Sequence, residues 1–164
     1  MPGEGFCLRL WNGEPEDGGL GLSLRCGETS VLSNNCLIEA PYGCSLSERM
    51  RTPPALSRIL QAMIRAWEPE WGLVTSTEWK ELRPDSAKGG TFIGWLTYFS
   101  HRRGPLPSLP PPVHVEPVDG LGSLVLLTPE PFSPSNPSHL QLARDVTSRL
   151  SRAGLLHPLR PGDD

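Results

Sequence analysis

The run Thr91-Phe92-Ile93-Gly94-Trp95-Leu96-Thr97-Tyr98-Phe99-Ser100 decides the fold. β-branched and aromatic residues dominate it, and a period of two assigns its side chains to two faces. Ile93, Trp95, Thr97 and Phe99 share one face, while Phe92, Gly94, Leu96 and Tyr98 share the other. Both faces are largely apolar, which predicts a central strand covered on both sides rather than an exposed edge. Gly94 beside Trp95 predicts a close backbone approach or a bulge. The run holds no acid, histidine or cysteine, so it reads as architecture around an aromatic recognition surface.

Upstream, Pro84–Gly90 reads as a turn, and Gly72–Leu82 as a short strand or a turn of helix. Before them lies a well-signalled helix, with Thr52 as N-cap and Pro53 at the first helical position. Leu56, Ile59, Leu60, Met63, Ile64 and Trp67 form its apolar stripe, and Pro69 stops it. Three strand candidates open the chain: Phe6–Trp11, Leu20–Cys26 and Asn35–Ala40. Leu20, Leu22 and Leu24 alternate with Gly21, Ser23 and Arg25, as in an antiparallel meander with one wet face.

Downstream, Pro105–Pro112 is an extended connection. Val113–Val118 and Ser123–Thr128 read as a hairpin turned at Asp119-Gly120. A second long helix starts at Asn136 as N-cap with Pro137 behind it, and carries the stripe Leu140, Ala143, Val146, Thr147 and Leu150. Gly154 is a natural left-handed C-cap, with Leu155 placed to pack back on Leu150. These elements predict an α+β fold: a mostly antiparallel sheet of four to six strands packed with two main helices and joined by Pro-rich loops.

At 164 residues the expectation is a single domain, residues 1–164. Ten of the 19 prolines fall between Pro105 and Pro137, so the excess belongs to loops and does not mark the whole chain as disordered. A net charge of −3 is too mild and too acidic for direct nucleic-acid binding and favours a basic partner. Cys7, Cys26, Cys36 and Cys44 are spaced 19, 10 and 8 apart with no CxxC, so the usual zinc and redox spacings are missing. No basic and apolar leader opens the chain, and no apolar run approaches ~20 residues. Reduced thiols in cytoplasm are the default expectation.

The four histidines, His101, His114, His139 and His157, are the first candidates for acid–base or metal chemistry. His114-Val115-Glu116 copies the H-x-E of zinc deaminases, yet every cysteine precedes it, so the required P-C-x-x-C cannot follow. His139, near a helix start, is more often a surface or packed first-turn side chain than a base. No G-x-S-x-G elbow occurs. Gly18-Gly19-Leu20-Gly21 and Lys88-Gly89-Gly90 both lack the spacing of a phosphate loop. Pro107-Ser108-Leu109-Pro110 is a formal PxxP, more simply a rigid crossover within a domain.

The most distinctive surface signal is acidic and aromatic. Glu68, Glu70, Glu78, Glu81 and Asp85 accompany Trp67, Trp71 and Trp79, against only Lys80 and Arg83. The plain reading has the tryptophans cap the core while the acids solvate its rim. The functional reading makes the stretch part of a protein-binding face, with aromatics as anchors and carboxylates competing for a basic groove.

Ala66-Trp67-Glu68-Pro69-Glu70-Trp71-Gly72, Ile93-Gly94-Trp95-Leu96-Thr97-Tyr98, Gly122-Ser123-Leu124-Val125-Leu126-Leu127-Thr128, Pro131-Phe132 and Asn136-Pro137-Ser138-His139 occur in that order. Together with the ending Ala153-Gly154-Leu155-Leu156, this set resembles the immunity protein 52 family of bacterial polymorphic-toxin systems, over roughly Leu37 to Pro158. The family pattern has a further helical segment before its first strands, so the resemblance implies a truncated start or a shorter member. It also implies an α+β protein encoded beside a toxin with a restriction-endonuclease-like nuclease domain, often delivered by type VI secretion.

The resulting expectation is a cytoplasmic bacterial immunity protein that binds and neutralises a cognate toxin, without catalysis, cofactor, metal, membrane or small-molecule substrate. Its expected contact residues are Glu14, Glu16, Asp17, Glu68, Glu70, Trp71, Glu78, Trp79, Glu81 and Asp85. The alternatives are a Ser/His hydrolase, which needs Ser, His and a carboxylate within hydrogen-bond reach, and a proline-rich interaction module.

Overall fold

The structure is a computed structural model that describes residues 5–14, 18–27, 34–40, 45–82 and 91–158. The described elements are strands β1 (Phe6–Trp11), β2 (Gly21–Cys26) and β3 (Asn35–Glu39), helices α1 (Ser45–Met50) and α2 (Pro53–Trp67), strand β4 (Trp71–Val74) and helix α3 (Thr77–Glu81). Strand β5 (Leu96–Ser100), a 3₁₀ turn (His101–Arg103), strands β6 (His114–Val118) and β7 (Gly122–Leu126) and helix α4 (Pro137–Arg152) follow. The class is α+β as expected. Instead of one sheet of four to six strands, seven described strands form two antiparallel sheets, ordered β1-β2-β3 and β4-β5-β7-β6. The chain divides into two compact units, Met1–Arg51 with Leu159–Asp164 and Thr52–Pro158.

In the second unit β5 is an inner strand, and all five of its residues are buried. Its ladder starts at Leu96, later than the alternation alone predicts. The reason lies at Gly94, whose amide donates to Thr97 Oγ1 at 2.9 Å instead of to a neighbouring strand. A Cβ built on Gly94 would lie 2.1 Å from the Val74 carbonyl oxygen, so the expected close approach is present. Trp95 N–H donates to that same carbonyl at 2.8 Å, while the Trp95 carbonyl accepts from Leu127 N–H.

Helix α2 packs on β4 and β5. Its Leu60 Cδ1 sits 3.3 Å from the Cβ position of Gly72, and Gly72 pairs with Tyr98, so α2 covers the face of Leu96 and Tyr98. Leu60 and Ile64 are buried, as the stripe predicts, but Trp67 on the helix's last turn is 50% exposed. The turn after it places Glu68 in a left-handed conformation, φ 43°, with its N–H on the Ile64 carbonyl. Helix α4 contributes Ala143, Val146 and Leu150 to the core, capped by Asn136 Oδ1 accepting from Ser138 N–H at 2.9 Å. Gly154 takes φ 76°, and Leu155 folds back fully buried with its N–H on the Leu150 carbonyl. Leu106 and Leu109 of the Pro-rich connection also pack against the core.

The first unit is built differently. Every residue of the buried apolar cluster lies between Leu60 and Leu155, outside this unit. Its meander pairs Phe6, Leu8 and Leu10 with Cys26, Leu24 and Leu22, and the last two in turn with Cys36 and Ile38. Asn12 organises the β1–β2 loop, giving Nδ2–H to the Gly18 carbonyl and accepting Leu20 N–H on Oδ1, both at 2.9 Å.

Candidate partner-binding surface

The acidic–aromatic stretch is built by β4, α3 and the turns around them. Ser76 caps α3 by accepting Trp79 N–H on its side chain at 3.2 Å. This turns Trp79 inward, leaving Glu78 and Glu81 exposed on either side of it. Trp79 is 9% exposed, donates Nε1–H to the Ile93 carbonyl at 2.8 Å, and meets Phe132 edge-on at 5.2 Å. Trp71 is half-buried, with Nε1–H on the Phe92 carbonyl at 3.1 Å and its ring edge-on to Phe92. The two expected anchors are thus held by the protein's own carbonyls, each showing only part of its ring.

The acids differ in how free they are. Glu68 is exposed at the end of α2. Glu70 faces a cation of its own chain, with Oε2 3.5 Å from Arg103 Nη1. Arg103 is 7% exposed and ties down the C-terminal segment: Nε–H donates to the Leu155 carbonyl at 3.0 Å and Nη2–H to that of His157. Burial lowers the Arg103 pKa, and Glu70 partly restores it. Arg103 Nη1 has no hydrogen-bond partner, so Glu70 supplies its compensation as charge rather than as a bond. Glu14 is exposed beside the Asn12 loop, whereas Glu16, Asp17 and Asp85 lie outside the described residues. Two tryptophans outside the expected contact set have open faces, Trp67 at 50% and Trp11 at 67% exposed. The apolar stripe of α2 predicts burial for Trp67, which the acidic–aromatic stretch also includes, and Trp11 ends β1, whose six residues are all exposed.

Ser133 N–H donates to His139 Nδ1 at 3.0 Å, so the ring proton sits on Nε2 and is given to Glu130 Oε1, also at 3.0 Å. With both nitrogens engaged and Phe132 stacked on the ring, His139 is a buried brace, with no free lone pair for a substrate proton. A cleft of about 470 Å³ between α2, β5, β6 and β7 gathers Ser57, His114 and Glu116, along with Arg58 and Gln61. The Gln61 amide, not His114, links them, donating to Ser57 Oγ at 3.1 Å and Glu116 Oε1 at 3.4 Å. No Ser–His–carboxylate relay is therefore assembled in this cleft. Burial, and then the neighbouring Cys26, push the Cys36 thiol up, away from a reactive thiolate. Among the described residues no group of three or more His, Cys, Asp or Glu side chains could hold a metal ion, and no helix is long and apolar enough to cross a membrane.

The model of one family, Immunity protein 52, matches residues 2–159. The chain belongs to the Immunity protein 52 family. The match runs through β1, β2 and β3 as well as the second unit, further toward the N-terminus than the resemblance over Leu37 to Pro158. Membership in this family points to binding of a cognate toxin and to a non-catalytic role. Among curated proteins none matches the chain at a significant level.

Proposed function

We propose that this chain is a cytoplasmic bacterial immunity protein that occludes a cognate toxin by direct contact, acting over residues 2–159 as one functional domain. The observation that carries the proposal is the family match across nearly the whole chain. The toxin is proposed to be a restriction-endonuclease-like nuclease effector of a type VI secretion system. A nuclease has to hold a polyanion, so its groove is basic, and a −3 protein with outward carboxylates is drawn to it. The freest of the expected carboxylates are Glu68, Glu78 and Glu81 in the second unit and Glu14 in the first. Glu70, Trp71 and Trp79 serve by shaping this face, with only their outer parts meeting the partner. Glu16, Asp17 and Asp85 extend the acidic set. The braced His139 and the Gln61-bridged cleft support neutralisation by binding rather than by chemistry.

Co-expression with the toxin encoded beside it tests the proposal. Cells carrying both genes are expected to survive, and tagged toxin to retain this chain through purification. Death of the doubly expressing cells, with both proteins present in soluble form, would contradict it.

A further inference from the structure

We infer that the cleft between α2 and β6 is a binding site for a small apolar zwitterion, an α-amino acid with a hydrocarbon side chain. The cleft lies within the second unit, and this role is additional to toxin binding. Polar side chains bridge the gap between the helix and the strand in steps. Arg65 pairs with Asp119 at the hairpin turn, and one helical turn earlier Gln61 donates to Glu116 Oε1 at 3.4 Å. One turn earlier again, Ser57 and Arg58 line the same cleft as His114, and here the bridge is missing. Among the described residues the side chains of Arg58 and His114 have no hydrogen bond or ion pair, and Glu116 has only the neutral Gln61 amide. The gap is thus strapped at one end and open at the other.

Its floor is hydrocarbon. Cross-strand rows set Leu126 between Leu96 and His114, and Leu124 between Tyr98 and Glu116. Leu96 and Leu124 are buried and Leu126 is half-buried, while His114 and Glu116, two residues apart, project on one side of β6. At about 470 Å³ the cleft falls within the ~300–1,000 Å³ range of small-ligand sites.

The occupant follows from the charges left without a counterion. Arg58 stands on the helix wall and Glu116 on the strand wall of one leucine-floored cleft. An anion alone would meet Glu116, a cation alone would meet Arg58, and a purely apolar molecule would desolvate both without compensation. A ligand complementary to all three surfaces carries an anion, a cation and a hydrocarbon branch close together. An α-amino acid does so from a single carbon: its carboxylate faces Arg58 and His114, its ammonium faces Glu116, and its side chain lies on Leu124 and Leu126.

Solution NMR of the full chain at neutral pH, with L-leucine as the probe, tests this without the toxin, so its failure is distinct from failure of the immunity reading. Amide signals of Arg58, Gln61, Glu116 and Leu126 should shift saturably. Isocaproate, which lacks the ammonium, and isoamylamine, which lacks the carboxylate, should each bind at least about tenfold more weakly. Arg58→Gln should erase the advantage of leucine over isoamylamine, and Glu116→Gln its advantage over isocaproate. Both side chains are exposed, so neither change removes core packing, and unaltered signals away from the cleft verify this. Absence of a saturable shift with leucine, or equal binding of either singly charged analogue, would overturn the inference. So would equal binding of N-acetyl-leucine, which would assign the cleft to the carboxyl end of a peptide instead.

Discussion

Gly94 shows how one missing side chain sets the geometry of the core. Any Cβ there would fall 2.1 Å from the Val74 carbonyl oxygen, with Leu73 Cδ1 at 3.2 Å, and backbone cannot give way cheaply. Gly94→Ala should therefore displace β4 from β5 and lower the denaturation midpoint clearly. Its neighbour Trp95 is 7% exposed and donates Nε1–H to the Thr128 carbonyl at 2.8 Å. Trp95→Ala should cost ~3–5 kcal/mol in chemical denaturation, from lost transfer energy and the cavity left behind. Near wild-type stability in either variant would contradict this packing. At Glu70 the expectation is smaller. Glu70→Gln removes the charge facing buried Arg103, but the carboxylate is 40% exposed, so urea unfolding should show a loss of only about 1–2 kcal/mol. No loss would mean that solvent already compensates the guanidinium.

At the scale of elements, strongly punctuated segments were legible from sequence. Thr52-Pro53 and Asn136-Pro137 mark helix starts because proline's fixed φ suits the first turn, and both helices begin there. Asp119 and Gly120 both adopt positive φ, as their hairpin reading requires. The short helix α1 went unseen because six residues give too little periodicity to distinguish a turn of helix from a loop. The start of β5 was misplaced because alternation cannot show that Thr97 captures the Gly94 amide.

Tyr98 on that strand gives a pH test. Burial raises its phenol pKa from the usual 10.0; Ser100 and Arg102 oppose this, and Glu68 adds to it. A raised folded-state value contributes stability that is intact below about 10 and lost as pH rises through the folded value. Tyr98→Phe forfeits the hydrogen bond to the Leu121 carbonyl but should flatten the stability profile above pH ~10. An equally steep alkaline loss in the variant would exclude Tyr98 as its source. On α3, reversing Glu78 and Glu81 together should slow toxin association and flatten its salt dependence, while leaving the melting curve unchanged. Association unaffected at every salt concentration would remove α3 from the encounter surface.

For the whole molecule, the sequence could show the α+β class but not the division into two sheets, because strand candidates carry no record of which neighbours they pair with. The candidate surface was less legible still. Trp71 and Trp79 look like free anchors in sequence because burial is decided by distant groups, the carbonyls of Phe92 and Ile93. Which carboxylates matter depends on a second protein whose shape is not encoded in this chain. Titrating purified toxin with this protein distinguishes neutralisation by stoichiometric binding from neutralisation by turnover. With toxin far above its dissociation constant, toxin activity should fall linearly and vanish near one equivalent of binding sites, with toxin recovered intact on dissociation. Complete loss of activity at a small fraction of an equivalent, with toxin covalently altered, would show catalysis and contradict the account.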